Sequence, residues 1–373
     1  MWTRRSLMKL ACTAPWICQG MAARAAVAKL PPVFSIRDGD LLGLINVDGH
    51  VIVPPEYEEL RTGDPLILVR KSARVAYVDY EGHMVIAPQS DLTRPFAEGL
   101  TPAVMRDGQG KSRLGYLDSQ RRTVIEPGYL HADSFVDGLA IVGSEDAWGA
   151  ARFGAIDRKG HWVLKPVHEK LLPHSGGVLR SEGKGRVIRA YGRDGRDITP
   201  AGIDFVGIES EGLVRIWAGR QQGFMNARGD VVIPPRFSLA SEFRDGMSRI
   251  HEGGKYGFVD RVGKIAVPTR FDAAEDFSED LALVKEGESS LFVDKQGKTV
   301  LRPEADRTYP FSQGLAVVRR AGRHGYIDRT GRTVIEPQFS FARPFKDGLA
   351  FVTHGRTSGY IRPDGSYAWR SER

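Results

Sequence analysis

The chain has 373 residues, of which 53 are lysine or arginine and 46 are aspartate or glutamate, and it carries only two cysteines. Both cysteines and four of the basic residues lie within the first 28 positions, so the remainder has 49 basic against 46 acidic residues, a net charge of +3. This near balance argues against a specific nucleic-acid partner, and a remainder without cysteine excludes thiolate metal sites.

Residues 1–28 are typical of an export signal. Arg4 and Arg5 precede an apolar pair and a lysine, an apolar stretch follows from Leu10 to Ala22, and small residues end the segment. This arrangement resembles a twin-arginine signal peptide, with a Sec signal or a chance basic terminus as the alternatives. The apolar stretch is shorter than the roughly 20 residues that span a bilayer. We therefore expect a periplasmic or secreted protein that is not an integral membrane protein.

A unit of about 34 residues recurs along the rest of the chain, and such a period is typical of a repeat array. Ten hairpin tips mark it, spaced by 33, 39, 39, 35 and then five times 34 residues. The tips are at Gly49, Gly82, Arg121, Gly160, Gly195, Gly229, Gly263, Gly297, Gly331 and Gly365. The two longer spacings predict insertions near Asp107 to Ser112 and near Ala150 to Phe153, both on one edge of the array.

The best-preserved copy predicts three short strands in each unit. Leu315–Arg319, Tyr326–Ile327 and Thr333–Ile335 are rich in β-branched and aromatic residues. Asp328 and Gly331 begin and end a turn of the kind that forms a hairpin tip. A second turn, such as Asp347-Gly348, precedes the first strand of the next unit, and a phenylalanine shortly before it is predicted to be a core anchor.

We predict an all-β fold in which tandem hairpin repeats of about 34 residues form an open, curved solenoid. A propeller-like arrangement is the alternative, although propellers usually have four to eight blades of four strands and at least about 40 residues each. The predicted divisions are a signal at 1–28, irregular repeats 1–5 at 29–200 and regular repeats 6–10 at 201–373. The weak fifth unit, Arg189 to Pro200, favours a bend near residue 200.

The repeated unit resembles the WG-repeat family, a group of bacterial tandem β repeats. The frame is kept in Tyr256-Gly257-Phe258-Val259-Asp260, in His324-Gly325-Tyr326-Ile327-Asp328 and in Ser358-Gly359-Tyr360-Ile361. The tryptophan of the family pattern is replaced in these copies, and Trp148-Gly149 lies five residues upstream of the expected place. The resemblance implies a non-enzymatic repeat protein and gives no ligand.

Motifs for catalysis, cofactors and metals are absent from the sequence. It contains no phosphate-binding loop, zinc-peptidase motif or nucleophile elbow, so no catalytic, cofactor-binding or metal-binding residues are predicted. Aspartates at tip positions, such as Asp260 and Asp294, are interpreted as turn residues. His161, His168 and His174 are interpreted as loop histidines rather than metal ligands because no ligand cluster accompanies them.

Basic residues recur around the hairpin tips. If equivalent positions of neighbouring repeats line up, they form a basic ridge that could bind an anionic polymer. Alternatively, these side chains are simply solvated and discourage edge pairing. The candidate binding residues are Arg261, Lys264, Lys295, Lys298, Arg329 and Arg332.

Three functions follow from these observations. The first is an exported, non-catalytic binding or scaffold module for a protein or an envelope polymer. The second is a glycan or anionic-polymer binder that uses the basic ridge. The third is an envelope hydrolase or lyase with a site across repeats, which would require a cluster of carboxylates or histidines that interrupts the repeat pattern.

Overall fold

The structure is a computed structural model that describes residues 30–89, 94–182 and 188–371. The predicted signal, with Arg4 and Arg5, lies outside these residues. Within them the regular elements are β-strands, and no helix is long and apolar enough to cross a membrane. Pro31–Arg373 form one compact unit.

The described strands form ten antiparallel sheets of three or four strands, which follow one another along the chain as blades. Blade 1 contains β1 (Val33–Asp38), β2 (Leu41–Asn46) and β3 (Val51–Tyr57), and blade 2 contains β4 (Glu59–Arg61), β5 (Ile67–Lys71), β6 (Arg74–Val78) and β7 (Met84–Gln89). Blade 3 contains β8 (Leu100–Arg106), β9 (Ser112–Asp118) and β10 (Thr123–Tyr129), and blade 4 contains β11 (His131–Ala132), β12 (Leu139–Glu145), β13 (Ala151–Asp157) and β14 (Trp162–His168). Blade 5 contains β15 (Leu171–Ser175), β16 (Val178–Glu182) and β17 (Ile188–Tyr191). Blade 6 contains β18 (Phe205–Ser210), β19 (Leu213–Ala218), β20 (Gln221–Asn226) and β21 (Val231–Phe237), and blade 7 contains β22 (Leu239–Ala240), β23 (Met247–Glu252), β24 (Lys255–Asp260) and β25 (Ile265–Phe271). Blade 8 contains β26 (Ala273–Ala274), β27 (Ala282–Glu286), β28 (Ser289–Val293) and β29 (Thr299–Leu301), and blade 9 contains β30 (Arg307–Ser312), β31 (Leu315–Arg320), β32 (Arg323–Asp328) and β33 (Thr333–Phe339). Blade 10 contains β34 (Phe341–Ala342), β35 (Ala350–His354), β36 (Thr357–Ile361) and β37 (Tyr367–Arg370).

Blade 10 contacts blade 1, so the array closes. The Tyr360 hydroxyl donates a hydrogen bond to the Ser35 carbonyl oxygen at 2.8 Å, and the Tyr360 ring lies 5.3 Å from that of Phe34. The Arg362 guanidinium donates to the Asp48 carbonyl oxygen at 2.9 Å. The protein is therefore a ten-bladed β-propeller.

The open solenoid predicted from the sequence is wrong, and the propeller-like alternative is confirmed. The all-β class and the ten hairpin units are also correct. The prediction missed a fourth strand in most blades, because the segment before the second turn pairs over as few as two residues, as in Leu239–Ala240. The predicted division near residue 200 falls between β17 and β18, after the irregular fifth blade, and stays a prediction.

Aromatic pairs fill the space between neighbouring blades. The Tyr326 ring in blade 9 lies 4.9 Å from the Phe345 ring in blade 10, and both side chains are buried. The Phe224 and Phe243 rings, 4.7 Å apart, repeat this contact between blades 6 and 7. Aromatic side chains bury large apolar areas, so each blade needs its neighbour to cover one face. The phenylalanines before the second turn are core anchors, as predicted.

Candidate functional site

Three of the predicted ridge residues extend from exposed tips. Lys264, Lys298 and Arg332 each follow a tip glycine in blades 7, 8 and 9, and their side chains are exposed. Their backbone N–H groups donate to the tip aspartate of the same hairpin at 2.9, 2.9 and 3.1 Å. The Arg332 guanidinium also contacts the Asp328 carboxylate at 3.1 Å. The tip aspartates therefore stabilise turns, which agrees with the interpretation from the sequence.

Arg261 and Lys295, two of the other ridge residues, lie beside carbonyl or carboxylate groups. The Arg261 guanidinium donates to the Glu211 carbonyl oxygen. The Lys295 amine lies 2.5 Å from the Asp280 carboxylate and 3.3 Å from that of Asp245. Burial disfavours its charged form, but the hydrogen bonds to these carboxylates outweigh it and raise the pKa of Lys295.

Arg329 is exposed, and its charge helps to lower the pKa of Asp280, on which the hydrogen bond from Lys295 has the largest effect. Carboxylates therefore lie among the basic residues around Lys295 and Arg329. The basic ridge as a binding site stays a prediction.

A series of contacts between second turns joins neighbouring blades, and we name it the acidic-turn belt. In each contact a side chain of one turn accepts a hydrogen bond from a backbone N–H group of the next blade's turn. The pairs are Glu98 with Gly138, Asp137 with Gly176, Glu211 with Asp245 and Gly246, Asp245 with Asp280, Glu279 with Gly314 and Gln313 with Gly348. The belt fixes the angle between blades, which is a structural role for most of the acidic residues in it.

The two inserted loops lie on adjacent blades, at the strand ends opposite the tips. Residues 107–111 join β8 to β9, and residues 146–150 join β12 to β13. The Arg113 guanidinium bridges the two blades through the Glu145 carboxylate at 3.3 Å. Trp148 is 92% exposed at the end of the second loop. The insertions therefore share one edge, as the spacing predicts.

A cleft at the junction of blades 10 and 1, here called the seam cleft, has a volume of about 530 Å³. Ser35, Arg37, Arg343, Arg356, Tyr360 and Trp369 are among its lining residues. Among the described residues, blade 1 begins with β1, the strand that follows the second turn in other blades, and no described strand pairs with its outer edge, which leaves the cleft. Consequently β1 buries one side chain, Ile36, whereas the equivalent strand β31 buries four.

The seam cleft combines positive charge with aromatic surface. The Arg343 guanidinium lies 5.9 Å from the Phe351 ring and 6.0 Å from the Phe341 ring, within the range of cation–π attraction. Arg37 and Arg356 add two more cations, and no carboxylate is among the described residues that line the cleft. Burial raises the pKa of the Tyr360 hydroxyl, and this hydroxyl donates to the Ser35 carbonyl oxygen.

The histidines and carboxylates of the described residues do not form a metal site. His161 contacts the Asp157 carboxylate at 3.2 Å, whereas the His168 ring packs on that of Tyr191 at 5.1 Å, and burial lowers the His168 pKa. The side chain of His174 lies outside the described residues.

The sequence profile of the WG containing repeat matches this chain seven times, over more than half of its length. The matched residues are 43–71, 76–108, 115–148, 223–256, 256–288, 292–323 and 325–356. The chain belongs to the WG-repeat family. Its repeats keep the glycine of the WG pair because a Cβ atom at Gly325 would lie 2.5 Å from the Ile335 carbonyl oxygen. The preceding position, held by Tyr256, His324 or Ser358, is half-buried and tolerates exchange of the tryptophan.

No curated protein matches the chain. Among solved structures, it is similar to the extracellular domain of a hybrid two-component system from B. thetaiotaomicron, with 12% identity over 92% of this chain and 65% of that one, and a TM-score of 0.25. PorZ, a surface component of the type-IX secretion system of Porphyromonas gingivalis, has 12% identity over 85% of this chain and 52% of its own, with a TM-score of 0.27. This chain thus spans 65% and 52% of the length of these two proteins. AztD from Citrobacter koseri has 14% identity over 72% of this chain and 93% of its own, with a TM-score of 0.27.

Proposed function

We propose that this WG-repeat propeller is an exported, non-catalytic module that binds a protein partner in the seam cleft. The observation that supports the proposal is the cleft itself. It joins three arginines to the aromatic side chains of Phe351, Tyr360 and Trp369, and aromatic and arginine side chains supply most of the binding energy in protein interfaces.

The ring gives the cleft a rigid frame. The belt links the blades through backbone N–H groups, and the tip aspartates are engaged in turns rather than held free for proton transfer. A preorganised surface loses little conformational entropy when a partner binds, which favours recognition. Both features support binding over catalysis.

Site-specific photo-cross-linking tests the protein-binding site. A benzophenone amino acid replaces Ser35, which is exposed in the cleft, or Val262, which is 77% exposed at a distant tip and serves as the control. In the cells that make this chain, we expect the Ser35 probe to give one discrete adduct that the Val262 probe does not. Identical adducts from both probes, or none from Ser35, would contradict the proposal.

Binding of an anionic polymer is a second candidate, supported by the exposure of Lys264, Lys298 and Arg332 on adjacent tips. Changing all three to glutamate should weaken binding to an anionic cell-wall fraction strongly while the fold is retained. Salt should also weaken it, because the Debye length falls from about 10 Å at 0.1 M to about 3 Å at 1 M. Polymer binding that is insensitive to both changes would eliminate these residues.

Export is part of the proposal and is supported by the leader sequence. Replacing Arg4 and Arg5 together by lysine should retain the precursor in the cytoplasm, because a twin-arginine signal depends on the pair. Fractionation of cells followed by immunoblotting measures this. Normal export of the double variant would show that the signal is of another type.

A further inference from the structure

The outer edge of β1, with which no described strand pairs, is equivalent to the edge of β35 that pairs with β34, the first strand of blade 10. With the tip glycines Gly49 and Gly365 aligned, Ser35 corresponds to Phe351 and Arg37 to Thr353. In blade 10 the carbonyl oxygens of these two residues accept hydrogen bonds from the N–H groups of Arg343 and Ser340, at 2.9 and 2.8 Å. The main-chain groups of Ser35 and Arg37 therefore point towards the cleft rather than towards β2.

The described part of blade 1 also contains no phenylalanine anchor before its first strand. In blades 2, 3 and 9 a tyrosine ring packs on the phenylalanine of the next blade, and its hydroxyl donates to the carbonyl oxygen two residues before that phenylalanine. Tyr326, for example, contacts Phe345 and donates to the Arg343 carbonyl oxygen at 2.8 Å. Tyr77 contacts Phe96 in the same way and donates to the Arg94 carbonyl oxygen at 2.6 Å.

Among the described residues, Tyr360 has no such strand beside it. Its hydroxyl donates instead to the Ser35 carbonyl oxygen, and its ring remains half-buried, in contact with Phe34 and Phe351. Trp369, which stands where blade 9 has the buried Ile335, is half-buried too. The shape of the cleft therefore fits one further strand that carries one aromatic side chain.

We propose that the partner inserts an extended acidic segment with one aromatic anchor into the seam cleft, where it pairs with β1 as the first strand of blade 1. This inference rests on the proposed function and names the partner's chemistry. An open strand edge is a template for strand addition, in which main-chain hydrogen bonds give affinity and side-chain pockets give specificity. Arg37, Arg343 and Arg356 favour acidic residues in that segment.

The chain itself supplies a matched pair of probe peptides. Residues 273–281, from the first strand and turn of blade 8, contain four carboxylates, with Phe277 in fifth place. Residues 341–349, from the same part of blade 10, have Phe345 in fifth place but carry Arg343 and Lys346. In fluorescence anisotropy with labelled peptides, the acidic probe should bind at least roughly tenfold more tightly than the basic one. The Phe277→Ala version of the acidic probe should bind about tenfold more weakly than its parent peptide.

Two substitutions at one residue test the pairing with β1. Ser35→Pro removes the N–H group that faces the cleft but leaves the β1–β2 ladder in place, because edge strands tolerate proline on the open side. This substitution should weaken the affinity for the acidic probe by roughly five- to tenfold, which is the effect of one lost main-chain hydrogen bond. Ser35→Ala keeps the N–H group and should bind as the parent does. Should Ser35→Pro fail to fold, Arg37→Glu with Arg356→Glu tests the charge and should abolish the preference for the acidic probe.

The outcomes separate this inference from the proposed function. A discrete cross-linked partner whose binding is unaffected by Ser35→Pro would overturn strand addition and leave the binding module intact. Equal affinity for both probes would overturn the acidic character. A cross-link from position 35 to the chain's own first 29 residues, or to a second copy of the chain, would identify another occupant and overturn the partner peptide.

Discussion

Single residues at the tips carry two constraints at once. Each tip glycine described here has a positive φ, and several also lie against the outer strand of the preceding blade. The sequence predicted the left-handed turn from the Asp-x-x-Gly pattern. It could not predict the close approach, because the contacted residue is about 30 positions away and belongs to another blade.

Substitution of Gly297 should reveal both constraints. Its φ is +78°, and a Cβ atom there would lie 2.9 Å from the Val267 Cγ1 atom. Gly253 has a φ of +58° but no atom within 4 Å of its Cβ position, so it is the matched control. Gly297→Val should lower the free energy of unfolding by about 2 kcal/mol or more, against about 1 kcal/mol for Gly253→Val. Equal losses in chemical denaturation would show that the contact has no energetic effect.

The charge and the acceptor oxygen of Asp328 can be tested separately. Hydrogen bonds from the Thr330 side chain, the Arg332 side chain and the backbone lower the Asp328 pKa to about 2. Because the folded-state pKa lies below its ordinary value of 3.8, the carboxylate contributes stability above pH 3.8, and this is lost as the pH falls towards 2. Asn226 holds the same place in blade 6 and keeps both backbone hydrogen bonds.

Asp328→Asn should therefore be milder than Asp328→Ala, which removes the acceptor. Between pH 4 and pH 2 the stability of Asp328→Asn should fall less than that of the parent, as measured by thermal unfolding across pH. Parallel pH profiles for the two proteins would show that the Asp328 carboxylate is not responsible.

At the scale of elements, the second turn has a role beyond reversing the chain. Its first left-handed residue is Glu, Asp or Gln in the belt, although glycine would adopt that conformation at lower cost. The side chain is retained because it reaches the next blade's turn. The sequence predicted the turn and the phenylalanine anchor before it, but the link between blades depends on a geometry that one unit alone does not contain.

Glu211 is the sharpest test of the belt. Its φ is +52°, and its carboxylate accepts from the backbone N–H groups of Asp245 and Gly246 at 2.6 and 2.9 Å. Glu211→Ala loses the acceptor and keeps the backbone strain, so it should lower the free energy of unfolding by about 1 kcal/mol. Glu211→Gly relieves the strain, so it should lower the free energy of unfolding by less than Glu211→Ala does. Equal losses for the two variants in chemical denaturation would show that the side chain, not the backbone conformation, sets the whole effect.

At the scale of the whole molecule, ring closure depends on residues that the sequence does not relate to one another. Ser35 and Tyr360 meet across 325 positions, and the angle between blades, repeated ten times, decides whether the ends meet. The sequence did contain a signal for the seam cleft. Pro31 and Pro32 stand where the regular units have the glycine of the second turn and the residue before it, so the usual second turn does not precede β1.

Two tip glycines offer a matched test of closure. A Cβ atom at Gly49 would lie 1.9 Å from the Ala368 carbonyl oxygen across the seam, and one at Gly82 would lie 1.9 Å from the Ile52 carbonyl oxygen between blades 1 and 2. The steric clash is the same at both positions. Blades 1 and 2, however, are joined by the chain between β3 and β4, whereas blades 10 and 1 are held together by non-covalent contacts.

Gly49→Val should therefore open the ring and increase the radius of gyration measured by small-angle X-ray scattering, because only non-covalent contacts oppose the separation of the two ends. Gly82→Val should lose stability by several kcal/mol, as overpacking against backbone does, but keep a scattering profile close to that of the parent. Faster hydrogen exchange in β1, β36 and β37 of Gly49→Val would locate the opening at the seam. An unchanged radius of gyration in Gly49→Val, with stability reduced as in Gly82→Val, would show that the seam is as resistant to separation as the interfaces within the chain.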